Sequence, residues 1–277
     1  MRALRIAHLT DIHVTDGRGA PEGLARTLRQ VQALPDRPDF ILTGGDQVMD
    51  VFRESEEAFR TQWSVFHSLM RDELELPIEH CIGNHDVWGW GEREGKRRAM
   101  EQLGLSHAYR SFDRNGWHLV VLDSTHPFGD GYTAKLDEPQ YEWLEADLAS
   151  TALPVLIVSH IPILSAAAFL DGEHVKEDGD WHVPGAWMHV DVKRLKALFG
   201  RHPRVKACLS GHLHLVDRVD YNGVSYYCNG AVCGAWWNGC YQECAPGYAL
   251  VDLYDDGKVE CRYHPTQGLE PNLTSTD

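Results

Sequence analysis

Short apolar runs, each ending at a polar loop rich in histidine and aspartate, recur along the first 214 residues of this 277-residue chain. Leu4-Arg5-Ile6-Ala7-His8-Leu9, Phe40-Ile41-Leu42, Pro77-Ile78-Glu79-His80-Cys81-Ile82, Val155-Leu156-Ile157-Val158 and Val205-Lys206-Ala207-Cys208-Leu209 are short and rich in β-branched residues, which predicts strands. Between them the spacing changes to three and four residues. Leu24, Leu28, Val31 and Leu34 form one apolar stripe, and Phe59, Trp63, Phe66 and Met70 form a second. Tyr141, Leu144 and Leu148 form a third, opened by Pro139, and Val192, Leu195 and Leu198 a fourth. Late in the chain, residues 224–228, 248–253 and 258–263 read as consecutive strands, the last two joined by the turn signal Asp255-Asp256-Gly257. The pattern predicts an α/β fold in which helices flank two packed sheets, with antiparallel strands at the C-terminal end.

What closes each strand carries the chemistry. In order these are Asp11-Ile12-His13, Gly45-Asp46, Gly83-Asn84-His85-Asp86, Ser159-His160 and Gly211-His212-Leu213-His214. All fall at carboxyl ends of strands, where the loops of α/β sheets aim side chains at a shared crevice. The glycines suit loops that need positive φ or no Cβ near a metal. Because residues 11 to 214 must meet at one site, residues 1–264 are expected to form a single domain. Residues 265–277, polar and carrying two prolines, are expected to be a tail.

Forty-one acidic against 26 basic residues leave a formal charge of −15, which disfavours a nucleic acid polymer as partner. No apolar run approaches the roughly 20 residues that span a bilayer. A cleaved leader is hard to fit, since Asp11 and His13 belong to the site, so the expected location is cytoplasmic. The seven cysteines read as reduced thiols. Cys228, Cys233, Cys240 and Cys244 cluster in sequence, but C-x4-C-x6-C-x3-C lacks the close paired knuckles of a zinc site.

Carboxylate, amide and imidazole groups in this mixture suit two divalent metal ions held side by side. Ions about 3.5–4 Å apart bind phosphoryl oxygens and make a bridging hydroxide available at neutral pH, which predicts phosphoester hydrolysis by attack of that hydroxide. Asp46, on a central strand, is the expected bridging ligand. Asp11, His13 and His214 complete one shell, and Asn84, His160 and His212 the other. Two aspartates and a hydroxide leave the pair of ions net positive and attractive to an anionic phosphoester. His212 and His214 serve neighbouring metals only where the backbone turns, which Gly211 permits. His85 is the candidate general acid, partnered by Asp86 or by another carboxylate that folding brings near.

The segments DIH, GGDQ, GNHD, SHIP and GHLH resemble the signature of the calcineurin-like metallophosphoesterase superfamily. The resemblance implies a four-layer α/β/β/α sandwich, two metals drawn from manganese, iron and zinc, and the ligand roles already given. Met49 and the absence of an arginine after Asp46 separate the chain from the patterns of purple acid and protein serine/threonine phosphatases. Gln140, Trp143-Leu144 and Leu122-Asp123-Ser124 look most like the cyclic-nucleotide and glycerophosphodiester phosphodiesterase branch. The substrate expected is therefore a small-molecule phosphodiester such as a cyclic nucleotide. A phosphomonoesterase or nucleotide pyrophosphatase is the alternative, and a non-catalytic scaffold is the reading from a different class. A scaffold should have lost ligands, whereas here the set is complete.

Trp88 and Trp236 are the candidate aromatic contacts to substrate, since a ring beside the metals stacks on a nucleobase. The bland alternative, loop packing, applies to each of them and also to Trp90, Trp181, Trp187 and Trp237. Arg93, Lys96, Arg97 and Arg98 read as the wet face of a helix, His8, His80 and His118 as structural, and His174, His182 and His189 as loop residues near the mouth of the site.

Overall fold

The computed structural model describes residues 1–87, 89, 93–170 and 175–269. In chain order the elements are β1 (Arg2–Leu9), α1 (Ala20–Gln32), β2 (Phe40–Thr43), α2 (Glu56–Glu73), β3 (Ile78–His80), α3 (Arg93–Leu103), β4 (Arg110–Arg114), β5 (Trp117–Val121), β6 (Thr125–Phe128), β7 (Gly131–Ala134), α4 (Glu138–Ser150), β8 (Val155–Val158), α5 (Val192–Arg201), β9 (Val205–Ser210), β10 (Asp217–Tyr221), β11 (Val224–Cys228), β12 (Gly247–Tyr254) and β13 (Val259–Pro265). Among the described residues no helix is long and apolar enough to cross a membrane.

Two mixed sheets stand back to back. The first has the order β13-β12-β1-β2-β3 and the second β10-β11-β9-β8-β5-β4, while β6 and β7 form a separate hairpin. Alternation along each strand decides what fills each layer. Leu4 and Ile6 of β1 meet Trp117, Leu119 and Val121 of β5 between the sheets, whereas Ala7 and Leu9 turn outward onto the stripes of α1 and α2. Val120, Ile157 and Val205 turn outward from the second sheet onto α4 and α5. The result is the expected α/β/β/α sandwich. Two helices begin at side-chain caps: Ser55 Oγ accepts from Ala58 N at 3.1 Å, and Asp137 Oδ1 from Gln140 N at 3.0 Å.

The late strands depart from the simple reading. β12 and β13 are antiparallel as the turn signal implies, with Val251 opposite Cys261. But β11 belongs to the other sheet, parallel to β9, so it is not their neighbour. Sequence adjacency misled because residues 229–246 carry the chain from one layer to the other. Within the segment expected to be a tail, Pro265 pairs with Gly247, and Thr266 is buried against Thr27 with Oγ1 atoms 3.1 Å apart. Residues 270–277 lie outside the described set.

Each of the three strand histidines has a structural partner, although His8 Nε2 is buried without one. His8 Nδ1 lies 2.9 Å from Asn229 Nδ2 between the sheets, and burial pushes this imidazole down to about 4. His80 Nδ1 lies 3.0 Å from Thr43 Oγ1. His118 bridges Asp113 and Asp147, its ring nitrogens 2.6 and 2.8 Å from their oxygens, and these bonds raise its pKa above 6.5 against the pull of burial. A raised folded-state pKa stabilises fully below the unfolded value near 6.5, and the contribution disappears as pH rises through the folded value. His118→Gln is therefore expected to lower stability by roughly 1 kcal/mol at pH 5.5 and by less at pH 9. Melting curves of both proteins across that range check this, and a gap that widens with pH overturns it.

Candidate metal centre

The loops after β1 and β2 are tied together before any side chain is considered. Asp11 N donates to Gly45 O at 3.0 Å and His13 N to Asp46 O at 2.9 Å. Five of the expected ligands sit in left-handed backbone: Asp11, His13, Asp46, His212 and His214, with φ of 54°, 46°, 54°, 71° and 56°. Such positions cost on the order of 1 kcal/mol or more each and gather at functional sites. Gly211 does not make the turn between the two histidines, as the sequence reading supposed. His212 and His214 make it themselves, and a Cβ on Gly211 would strike Thr10 and Asp11. Gly83 is required for the same kind of reason, since a Cβ there would strike Asp46.

The seven expected ligands converge. His13 Nε2 and His214 Nε2 are 3.2 Å apart, with Asp11 Oδ1 3.9 and 3.5 Å from them. On the other side His160 Nε2 lies 3.0 Å from Asn84 Oδ1, and a ligand atom of His212 falls within 4.8 Å of His160 and Asp46. Asp46 Oδ2 stands between the two groups, 3.6 Å from His13 Nε2 and 3.2 Å from His160 Nε2. One carboxylate oxygen is thus common to both.

The hydrogen bonding behind these atoms shows what they fit. His13 Nδ1, His160 Nδ1 and His214 Nδ1 lie 3.1, 2.8 and 2.6 Å from the carbonyl oxygens of Met49, Gly44 and Gly234. A carbonyl only accepts, so each Nδ1 carries a proton, and in the neutral ring each Nε2 directs a lone pair inward. Lone pairs of His13 and His214 face each other, and Asp11 Oδ1 is buried without a hydrogen-bond partner. That donor set fits cations. Burial pushes His13 and His212 down to about 3, so both are neutral bases. Burial acts against the charge on Asp11 and Asp46, yet the positive charge that His214 and His160 carry when protonated, a role a cation would take over, holds both carboxyls well below the usual range.

Asp86 does not face His85. Its two oxygens accept backbone N–H groups from Gly83, Asp46, Gln47 and Val48 at 2.8, 3.0, 2.8 and 3.4 Å, which clamps the GGDQ loop to the GNHD loop. The carboxylate opposite His85 is Asp50, whose Oδ1 lies 3.5 Å from His85 Nδ1, while His85 Nε2 is 4.0 Å from Asp46 Oδ2. Burial lowers the His85 pKa, but Asp46 and Asp50 more than offset it and the net shift is upward. The sequence reading named Asp86 and missed Asp50, whose place four residues after Asp46 on the same loop is the only signal that could have found it.

A cavity of about 160 Å³ opens over the centre, lined by Asp46, His85, Trp187, His212, Trp236 and Tyr241 among others. Trp236 is thus at the site, its ring centroid 4.6 Å from that of His214. Its neighbour Trp237 is a strut, donating from Nε1 to His13 O at 2.9 Å. Trp88, Trp90 and His174 lie outside the described residues. Tyr241 and Tyr132, the latter 6.1 Å from the His212 ring, were not singled out in the sequence because tyrosine near no motif carries no signal. Lys96, with Nζ 2.6 Å from Asp123 Oδ2, and Arg98, paired with Glu56, are committed to structural ion pairs. The Arg93 side chain is outside the described set. All seven cysteines are free thiols, and among the described residues Cys228, Cys233, Cys240 and Cys244 do not assemble a metal group of their own. Cys233 Sγ instead lies 4.0 Å from His214 Nδ1.

Fold and site together define a metal-dependent phosphoesterase. The chain belongs to the calcineurin-like phosphoesterase family, whose model matches residues 4–216, as the five segments implied. It is similar to the 3',5'-cyclic adenosine monophosphate phosphodiesterase CpdA of Escherichia coli strain K12, at 24% identity over 94% of this chain and 89% of the relative. A 3',5'-cyclic-nucleotide phosphodiesterase of Nostoc sp. is 26% identical over 98% of this chain and 97% of its own length. Among solved structures, a dimetal phosphatase from Danio rerio shares the fold with a TM-score of 0.68 at 14% identity, covering 96% of this chain and 97% of that one.

Proposed function

We propose that this protein is a binuclear hydrolase of small phosphodiesters, with 3',5'-cyclic nucleotides as the first candidates. The observation that carries the proposal is Asp46 Oδ2 held between two imidazole groups, 3.6 Å from His13 Nε2 and 3.2 Å from His160 Nε2. In this reading Asp11, His13 and His214 would hold one ion and Asn84, His160 and His212 the other, with Asp46 available to both. Divalent ions, when bound, would supply positive charge for the phosphoryl oxygens and the acidity that yields hydroxide at neutral pH.

The chain's own residues do the rest. Thr10 Oγ1 and His212 N donate to Asp11 Oδ2 at 2.6 and 2.9 Å, which turns Oδ1 inward. The Asp86 clamp fixes the spacing of Asp46 and Asn84, because it binds the backbone of both loops. His85, on the cavity wall and raised in basicity by Asp46 and Asp50, holds a proton for the departing ester oxygen. Relatives named for cyclic-nucleotide hydrolysis that align along nearly the whole chain support the choice of diester.

Reconstituted with manganese, the protein is expected to cleave bis-(4-nitrophenyl) phosphate and 3',5'-cyclic AMP at least about tenfold better in kcat/KM than 4-nitrophenyl phosphate, a difference worth about 1.4 kcal/mol. Colorimetric and product-release assays on that panel decide the matter. Preference for the monoester overturns the diester assignment.

A further inference from the structure

Two voids lie on either side of the Tyr132–His212 ring contact. Sites that enclose a whole drug-sized ligand run to about 300–1,000 Å³, so the cavity of about 160 Å³ over the metal centre takes the phosphodiester and little more. Beside it a second groove of about 600 Å³ runs between the β6–β7 hairpin and residues 182–190, lined by Phe128, Tyr132, Pro184, Ala186, Val190 and Lys135 among others. Tyr132 forms part of the groove wall, and its ring lies 6.1 Å from that of His212, which lines the metal cavity.

The groove is rigidly built. Gly185 O accepts from Ala134 N at 2.7 Å and from Thr133 Oγ1 at 3.1 Å, and Val190 N donates to Ala134 O at 2.9 Å. Behind this wall the buried His189 spans Ser159 Oγ at 3.2 Å and Asp191 Oδ1 at 2.9 Å, and Asp191 Oδ2 accepts from Leu136 N at 2.9 Å. Ser159, His189 and Asp191 have the residue types of a nucleophile triad, but Ser159 Oγ is buried and donates to Ile161 O at 2.7 Å, so they act as a strut. That strut joins the groove wall to the residue preceding His160. The rim meanwhile leaves Phe128 72% and Val190 58% exposed, apolar surface that a ligand would cover.

We propose that this groove is the subsite for the organic end of the substrate, a planar and weakly polar group such as a nucleobase, with Tyr132 as the wall it shares with the phosphodiester. The assignment rests on the phosphodiesterase reading above and adds to it the location of the specificity determinants. A flat ring covers Phe128, Pro184 and Val190, while Lys135 and His182, which also line the groove, offer donors to its edge. Base stacking on an aromatic side chain such as Phe128 tightens binding by about five- to 100-fold.

The test uses the metal-loaded full chain with two diesters, and adenosine, which has no phosphate, as a binding probe. Ala186→Trp fills the groove. It is expected to raise KM for 3',5'-cyclic AMP about tenfold, with kcat within about twofold, and to leave hydrolysis of the ringless diester glycerophosphoethanolamine within about twofold. Phe128→Ser changes an exposed position, leaves the fold unthreatened, and is expected to raise the same KM about threefold. Calorimetric titration with adenosine should show Kd rising in both variants by similar factors. Equal losses on both diesters, an unchanged KM for cyclic AMP, or an adenosine affinity that is absent or indifferent to both substitutions overturns the groove assignment. If the wild type cleaves only monoesters, the diesterase reading fails, and the adenosine titration still decides the groove by itself.

Discussion

Asp46→Asn is expected to strip the protein of most of its bound metal and to lower turnover on the order of 10³-fold, while leaving it folded. Asp46 Oδ1 accepts a hydrogen bond from His85 N at 2.8 Å, which fixes the rotation of the carboxylate and leaves Oδ2 for the centre. In the asparagine variant the amide oxygen keeps that bond, so the NH₂ group lands where Oδ2 stood. A group that donates then faces His13 and His160 from the midpoint of the site, and one negative charge is gone. Losing several kcal/mol of charge stabilisation corresponds to about three powers of ten in rate. Elemental analysis after reconstitution, with far-UV circular dichroism as a control for folding, checks both parts. Undiminished metal content in a folded variant would remove Asp46 from its shared position.

His85→Ala should separate chemistry from metal binding. The variant is expected to retain both ions and lose about 10²–10⁴-fold in kcat, the range that general acid catalysis supplies. His85 sits on the cavity wall, 4.0 Å from Asp46 Oδ2, close enough to reach a bound ester but not needed to complete either donor group. Asp50→Asn, which weakens the support of the imidazolium, is expected to lose about tenfold by the same route. Asp86→Asn should behave differently. Its amide would press two hydrogens towards the backbone N–H groups that Asp86 now accepts from, so the expected first symptom is a lower melting temperature followed by metal loss. Kinetics, metal content and melting temperature measured on all three variants distinguish the roles. Full activity in His85→Ala would remove His85 from the chemistry, and a selective kinetic defect in Asp86→Asn with stability and metals intact would reverse the assignment between Asp50 and Asp86.

The fold was legible where periodicity was strong. The stripes of α1, α2, α4 and α5 and the strands ending at the five motifs lie where spacing places them, because a buried face must repeat at 3.6 or 2 residues. Weakly patterned segments escaped. Asp217-Arg218-Val219-Asp220-Tyr221 forms the edge strand β10 with three of its five residues exposed, and β6 and β7 pair only with each other. The residues that gather at the candidate centre were legible for a related reason: an uncommon combination of residue types at five strand ends leaves few other uses for them. His85's partner was not, since Asp86 is its neighbour in sequence while Asp50 is its neighbour in space.

What the chain alone determined was its inventory: strands that end in aspartate, asparagine and histidine, helices to cover two sheets, and glycines at the points of closest approach. Only the tertiary structure decided which oxygen of Asp46 is common to both groups, that Asp86 clamps backbone while Asp50 serves His85, that Trp237 braces the His13 loop, and that an apolar groove opens beside the metal cavity. Residue type and spacing govern hydrogen-bonding capacity and burial, which are local properties. The direction in which a carboxylate points, and the side chain that meets it from the other sheet, depend on how two layers pack, and that information is spread over the whole chain.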